Sequence, residues 1–190
     1  MYNHGYIFES GFLQSIQRQE VVFADGRPAP WFNYSFLDFL TPRLNSEMSI
    51  FEYGLGNSTL YFNRISTHCF GVEHDKSWYE KVVGDHFSKE NYFLCDEEEY
   101  VNSIQNKNRK FDIIIVDGKL RNECLLKAIS FLSDAGVVIL DDSERQEYEV
   151  SIHEIKSKGY KELKISGLKA LGRHYSSTSV FYQINNCLNI

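Results

Sequence analysis

The sequence is poor in the signals that identify many small proteins. Only 3 prolines and 4 cysteines occur in 190 residues, and Cys69, Cys95, Cys124 and Cys187 stand too far apart to form a CxxC pair. That removes the usual zinc and dithiol-redox signatures. Cys69 and Cys95 lie in apolar runs, where a free thiol packs as a small hydrophobe. No apolar run approaches the roughly 20 residues needed to cross a bilayer, and the start, Met1-Tyr2-Asn3-His4-Gly5, has no basic segment leading into an apolar one. A soluble, cytoplasmic protein with no membrane partner is expected. A dense Lys/Arg block is also missing: 20 basic against 26 acidic side chains give a formal charge of -6, which argues against a nucleic-acid partner held by counterion release. With 43% hydrophobic content, the length suits one well-formed core and is short for two.

What is present is a repeated pattern of apolar runs ending in acid. Ile50-Phe51-Glu52-Tyr53-Gly54-Leu55-Gly56-Asn57-Ser58 reads as a strand, a glycine turn and a helix start. Glycines let the backbone turn sharply and approach a ligand, and the helix start behind them offers free N–H groups. Cys69 to Asp75 and Phe111 to Gly118 repeat the apolar-then-acid order. From Met48 onward, β-rich runs alternate with amphipathic stretches, which predicts an α/β fold: a doubly wound, mostly parallel sheet of about seven strands. Strands are expected near 48–53, 68–73, 92–95, 113–116, 136–140, 160–165 and 179–184. Helices are expected near 57–65, 77–86, from 96 onward, 121–132 and 147–158. The last two strands alternate more and are joined by a glycine-containing loop, which suits an antiparallel end to the sheet.

Residues 1–47 differ, with Phe8, Phe12, Phe23, Trp31, Phe32, Tyr34, Phe36 and Phe39 interleaved with Pro28, Pro30 and Pro42. This segment reads as an appendage to a core domain spanning 48–190. It either covers one face of the sheet or forms an aromatic lid over a ligand cleft.

Glu52-Tyr53-Gly54-Leu55-Gly56, the acid Glu73 after the second strand, Asp96 after the third and Asp117 after the fourth together resemble the ordered motifs of the class I S-adenosylmethionine-dependent methyltransferases. The likeness covers about residues 48–184, and Pro30-Trp31-Phe32-Asn33-Tyr34 resembles a poorly characterised bacterial branch. The resemblance implies that Glu52, Gly54, Gly56, Asn57, Ser58, Glu73, His74, Asp96 and Asp117 line the site of S-adenosylmethionine, with Glu73 on the ribose hydroxyls. Open parallel sheets bind ligands beyond the carboxyl ends of their strands, so acids at consecutive strand ends converge on one crevice. A carboxylate suits a vicinal diol, and a sulfonium favours nearby carboxylates and aromatic faces. Glu52 and Asp96 also have plain readings as strand and helix caps. Trp78 reads either as packing on a helix face or as an adenine shelf.

Val116-Asp117-Gly118 and Leu140-Asp141-Asp142 end the two central strands. They resemble the metal-dependent small-molecule O-methyltransferases, which implies a divalent cation such as magnesium on Asp117, Asp141 and Asp142, although that group has Asn where this chain has Asp142. Metal-free action of Asp117, or simple capping by Asp141 and Asp142, remains open. Asp117 and His174 are the catalytic candidates, Lys119, Arg121, Glu144 and Arg145 further candidates for the acceptor pocket, and a small molecule with a hydroxyl the expected acceptor. Two alternatives stand beside methyl transfer. One is a nicotinamide dinucleotide, disfavoured because Thr59 replaces the third glycine of that fingerprint; the other is a non-catalytic binding module on the same fold.

Overall fold

The structure, a computed structural model, describes residues 4–84, 87–172 and 175–190. Seven strands, β1 (Ile50–Tyr53), β2 (Cys69–Glu73), β3 (Tyr92–Leu94), β4 (Phe111–Val116), β5 (Leu132–Leu140), β6 (Lys161–Leu168) and β7 (Tyr175–Tyr182), form one sheet in the order β3-β2-β1-β4-β5-β7-β6. Pairing is parallel from β3 through β5, while β7 runs antiparallel to both β5 and β6. Strand order reverses between β1 and β4, the place where open sheets of this kind leave a crevice at their carboxyl ends.

The helices are α1 (Tyr6–Glu9), α2 (Phe12–Arg18), α3 (Tyr34–Leu40), α4 (Asn57–Phe62), α5 (Lys76–Val82), α6 (Glu97–Tyr100), α7 (Arg121–Ala128) and α8 (Glu149–Ser157). The period of two along each strand divides the apolar side chains between two layers. Ile50, Ile113, Ile115, Ile139 and Val180 join α4 and the amino-terminal Phe32, Phe36 and Leu40 on one face. Phe51, Tyr53, Ile114, Val116, Val138 and Phe181 meet Leu125 of α7 and Ile155 of α8 on the other. The amino-terminal segment thus shares with α4 the covering of that sheet face.

Asn33 fixes that cover. Fully buried, it caps α3 by accepting the Phe36 N–H at 2.9 Å, and its amide donates to the Ile165 carbonyl and to Thr178 Oγ1, each at 3.2 Å. One side chain therefore joins a helix start to both strands of the β6–β7 hairpin.

Several boundaries differ from the sequence reading, among them β6, which runs on to Leu168, and β7, which begins at Tyr175 instead of near 179. β5 begins at Leu132 instead of near 136, and α7 gives way after Ala128 to a short 3-10 turn. The cause is an irregularity in pairing: Phe111 lies opposite Leu132 but Ile113 lies opposite Val137, so extra residues of β5 bulge where alternation is broken. The helix expected to reach His86 ends at Val82, beyond which residues 85 and 86 lie outside the described part of the chain. No helix among the described residues is long and apolar enough to cross a membrane.

Removing the Asn33 side chain deletes a helix cap and two buried hydrogen bonds to the β6–β7 hairpin, so Asn33→Ala is expected to lower stability by about 2–3 kcal/mol. Urea unfolding should show a lower midpoint with an unchanged slope.

Candidate functional site

Glycine contact builds the floor of the site. Gly54, at φ +92°, follows β1, and a Cβ there would fall 2.6 Å from Gly118 Cα and 2.7 Å from Gly118 N. The reversal point between β1 and β4 can close this tightly only because neither residue has a side chain. Gly56, two residues on, has an extended backbone, and a Cβ there would meet nothing within 4 Å. The first glycine serves packing, and the second leaves an approach open.

Strand parity then sets which side chains face together. Glu52, Asp117, Asp141 and Thr178 share the parity of Ile50, Ile115, Ile139 and Val180, and so point toward the face covered by the amino-terminal segment. Glu52 is 2% exposed, and neither carboxylate oxygen has a hydrogen-bond partner among the described residues. Burial pushes its carboxyl up to about 8; the hydroxyls of Ser58 and Thr59 lie close enough to offset part of that rise, without completing a hydrogen bond, and the Asp117 charge adds to it. A buried carboxylate without a donor is costly, which is why the group favours its protonated form in the folded chain.

Glu73 ends β2 and is 4% exposed. Its Oε2 accepts the Leu55 N–H at 3.1 Å, and its Oε1 accepts the N–H groups of His74 and Asp75 at 2.8 and 2.9 Å. This carboxylate holds the glycine turn against the end of β2. His74 Nδ1 also lies 2.8 Å from Oε1, at an angle too poor for a hydrogen bond. Asp75 caps α5 through the Trp78 N–H, and the Trp78 indole N–H donates back to the Leu55 carbonyl at 2.6 Å. With 41% of its surface exposed, Trp78 both pins the turn and presents a ring beside it.

Other expected cofactor residues are engaged elsewhere. The Asn57 amide donates to the Val21 carbonyl at 3.1 Å, tying α4 to the amino-terminal segment, and Asp96 caps α6 through the Glu99 N–H at 3.2 Å. Ser58 is buried beside Glu52 at the start of α4. His174 lies outside the described residues.

Asp117, Asp141 and Asp142 do converge, with one oxygen of each within 4.8 Å of the others. The expectation of a metal on them meets a difficulty that the sequence did not reveal. Lys169 Nζ lies 2.7 Å from Asp141 Oδ2 and 2.7 Å from Asp142 Oδ1. Thr178 donates to Asp141 Oδ1 at 2.7 Å, Ser176 to Asp142 Oδ1 at 3.1 Å, and Arg145 to Asp142 Oδ2 at 2.5 Å. Arg121 pairs with Asp117 Oδ1 at 2.9 Å and donates to the Asp117 and Asp141 carbonyls. A hard divalent ion needs several free oxygen ligands, and this donor set, already paired with the chain's own cations, does not fit one.

The local charges follow. Burial, then the neighbouring Asp141 charge, pushes the Asp117 carboxyl upward against the pull of Arg121 and Lys169, although 27% of its side chain remains open to solvent. Burial also works upward on Asp142, but hydrogen bonding and charge from Lys169, with Arg121 and Arg145, bring it below its ordinary value.

No protein-family model and no curated protein matches this sequence. Among solved structures the chain is similar to an O-methyltransferase from Bacillus cereus in complex with SAH, with a TM-score of 0.63 at 16% identity over 95% of this chain and 92% of that one. It is also similar to precorrin-6y C5,15-methyltransferase from Geobacter metallireducens GS-15 (TM-score 0.56, 12% identity, 79% of this chain and 87% of that one). An rRNA methylase from Streptococcus thermophilus matches with a TM-score of 0.55 at 13% identity, over 79% of this chain and 95% of that one. The fold is the Rossmann-like fold of class I methyltransferases. At these identities the likeness is one of architecture.

The Glu52 shift makes a pH test of the site. The folded carboxyl near 8 and an ordinary value of 4.5 mean that the native state keeps a proton which the unfolded chain releases. Glu52 therefore makes stability fall as pH rises from about 4.5 to about 8, and has no further effect above that. Between pH 5 and 8 the wild type is expected to lose on the order of 3 kcal/mol relative to Glu52→Gln, read from urea midpoints of both proteins.

Proposed function

We propose that the chain transfers a methyl group from S-adenosylmethionine to a small-molecule nucleophile, a hydroxyl being the favoured acceptor. The observation that carries this reading is Glu52: a buried, unpartnered carboxylate beside a glycine turn and a helix start, the environment an ammonium-bearing nucleoside would complete. When bound, S-adenosylmethionine supplies an electrophilic methyl group on a sulfonium. Glu52 faces its ammonium, and the Gly54–Gly56 turn lets the ligand approach the backbone. Glu73 retains a free lone pair on Oε2 for a ribose hydroxyl after serving the turn, since a carboxylate offers about four acceptor positions. The Trp78 ring stands where a flat, apolar base would stack.

Because methyl transfer from a sulfonium needs little covalent assistance, positioning dominates, with a proton acceptor for the incoming hydroxyl. Asp117 is the proton acceptor in this reading. Its carboxyl is pushed up toward the range useful for general-base work, it sits one residue from the Gly54–Gly118 contact, and Arg121 fixes its orientation. His174 stays a second candidate, near Lys169 in sequence but outside the described residues. No step is routed through a metal.

A nicotinamide dinucleotide fits less well. Its pyrophosphate would lie beside the Glu52 carboxylate, and the antiparallel β7 inserted between β5 and β6 departs from the all-parallel order of the dinucleotide fold. A nucleic-acid acceptor is disfavoured by the net charge of -6.

Calorimetric titration with S-adenosylhomocysteine and with NADH tests the reading. The first should bind and the second should not; the reverse would exclude methyl transfer. Gly56→Ala should keep the wild-type unfolding midpoint yet weaken S-adenosylhomocysteine binding at least ~10-fold, because the added methyl group fills only the approach path. At pH 7 binding should release on the order of one proton from Glu52, seen as buffer-dependent enthalpy and lost in Glu52→Gln.

A further inference from the structure

The acids at the ends of β4 and β5 have a cation of their own. Lys169 follows β6, and its ammonium reaches Asp141 and Asp142 at 2.7 Å each. Only 13% of the Lys169 side chain is exposed, and Asp141 is fully buried. In such surroundings a charge pair is held firmly, and removal of one partner leaves the other uncompensated.

Lys169 is also delivered by construction. Its backbone bridges to Asn33, the Trp31 indole N–H donates to the Ala170 carbonyl at 2.6 Å, and the ammonium stands 5.8 Å from the Trp31 ring centroid. Three independent contacts from the amino-terminal segment thus hold the lysine over the acids.

We propose that the Lys169 ammonium takes the place of a divalent metal, bridging Asp141 and Asp142, so that the acid cluster becomes a divalent-cation site only when Lys169 is removed. A metal entering beside the ammonium would be repelled by it and by Arg121 and Arg145, while the oxygens it needs are already accepting hydrogen bonds. The consequence for catalysis, that transfer is independent of added metal, rests on the methyltransferase reading; the cation assignment does not. Lys169 is a positioning residue here, holding the Asp141–Asp142 end of the rim beside Asp117, which is itself paired with Arg121.

Manganese titration of the full chain, read by the electron paramagnetic resonance of the free ion, tests this together with calorimetry of S-adenosylhomocysteine. The wild type should show no saturable manganese site below millimolar concentration, whereas Lys169→Ala and Lys169→Met should gain one at least ~10-fold tighter. Adding Asp141→Asn to Lys169→Ala should abolish the gain. A saturable wild-type site lost in Asp117→Asn would overturn the proposal. So would folded Lys169 variants, checked by circular dichroism, that bind no manganese. If the variants do not fold, the wild type decides: saturable manganese binding refutes the proposal, and its absence, with a melting temperature unchanged by chelator, supports it. Failure of S-adenosylhomocysteine to bind a wild type that also rejects manganese would sink the methyltransferase reading and leave the cation assignment standing.

Discussion

The contact between two glycine backbones, Gly54 at the end of β1 and Gly118 just past β4, is the constraint from which the site follows. A Cβ on either residue would lie within 3 Å of the other's backbone, so any side chain would force the two strand ends apart. Their closeness brings Glu52 and Asp117 to the same rim. It also fixes the height of the turn, which Glu73 and Trp78 then hold from the β2 side through the Leu55 N–H and carbonyl. Leu55 at the centre of the turn is thus gripped on both its N–H and its carbonyl by residues from a neighbouring strand and helix, a preorganised surface instead of a loose loop.

The carboxylates on this rim differ in their partners: burial pushes Asp141 upward as it does Glu52, but only Asp141 has a lysine and a hydrogen-bonded threonine hydroxyl to offset that rise. Asp141 and Asp142 are balanced by Lys169, Arg121 and Arg145, with hydroxyls filling the remaining acceptor positions. Glu52 has no such balance and is held toward its protonated form by burial. An interior carboxylate that gains nothing from its own fold weakens that fold, and such exceptions cluster where a ligand supplies the missing partner. The contrast separates an end of the rim whose acids the chain itself pairs from an end whose acid has no partner among the described residues.

Much of this was legible in the sequence, for identifiable reasons. The alternation of apolar runs with amphipathic stretches located every strand of the sheet, and Gly-x-Gly after an acidic strand end located the turn. Side-chain commitments made across the fold left no such trace. Asn57 carries the right chemistry for a cofactor carboxylate, yet its amide serves Val21, which is 36 residues earlier. Lys169 lies 28 residues beyond Asp141, and only the Lys169 bridge to Asn33 and the antiparallel β6–β7 pairing bring it over the acids. In sequence it is one lysine after an alternating run, with no periodicity to distinguish it. The early start of β5 was hidden because a bulge breaks the alternation by which strands are recognised.

The amino-terminal segment connects these points. Its aromatic residues are open to two readings, a cover for the sheet or a lid over a cleft, and its packing carries the first. Phe32, Phe36 and Leu40 bury the face that carries Ile50, Ile113 and Ile139, which is a covering role. The same stretch, through Asn33 and Trp31, sets the position of Lys169 and Ala170 at the rim. Trp31 itself remains half exposed, at 51%, although its indole N–H is satisfied and its ring borders a buried ammonium. An aromatic face held at the edge of a charge-balanced rim offers apolar surface without rotamer freedom to lose. Residues that complete the core on one side of the segment thereby shape the rim of the sheet on the other, so changes in the appendage should be felt at the rim through Lys169 as well as in stability.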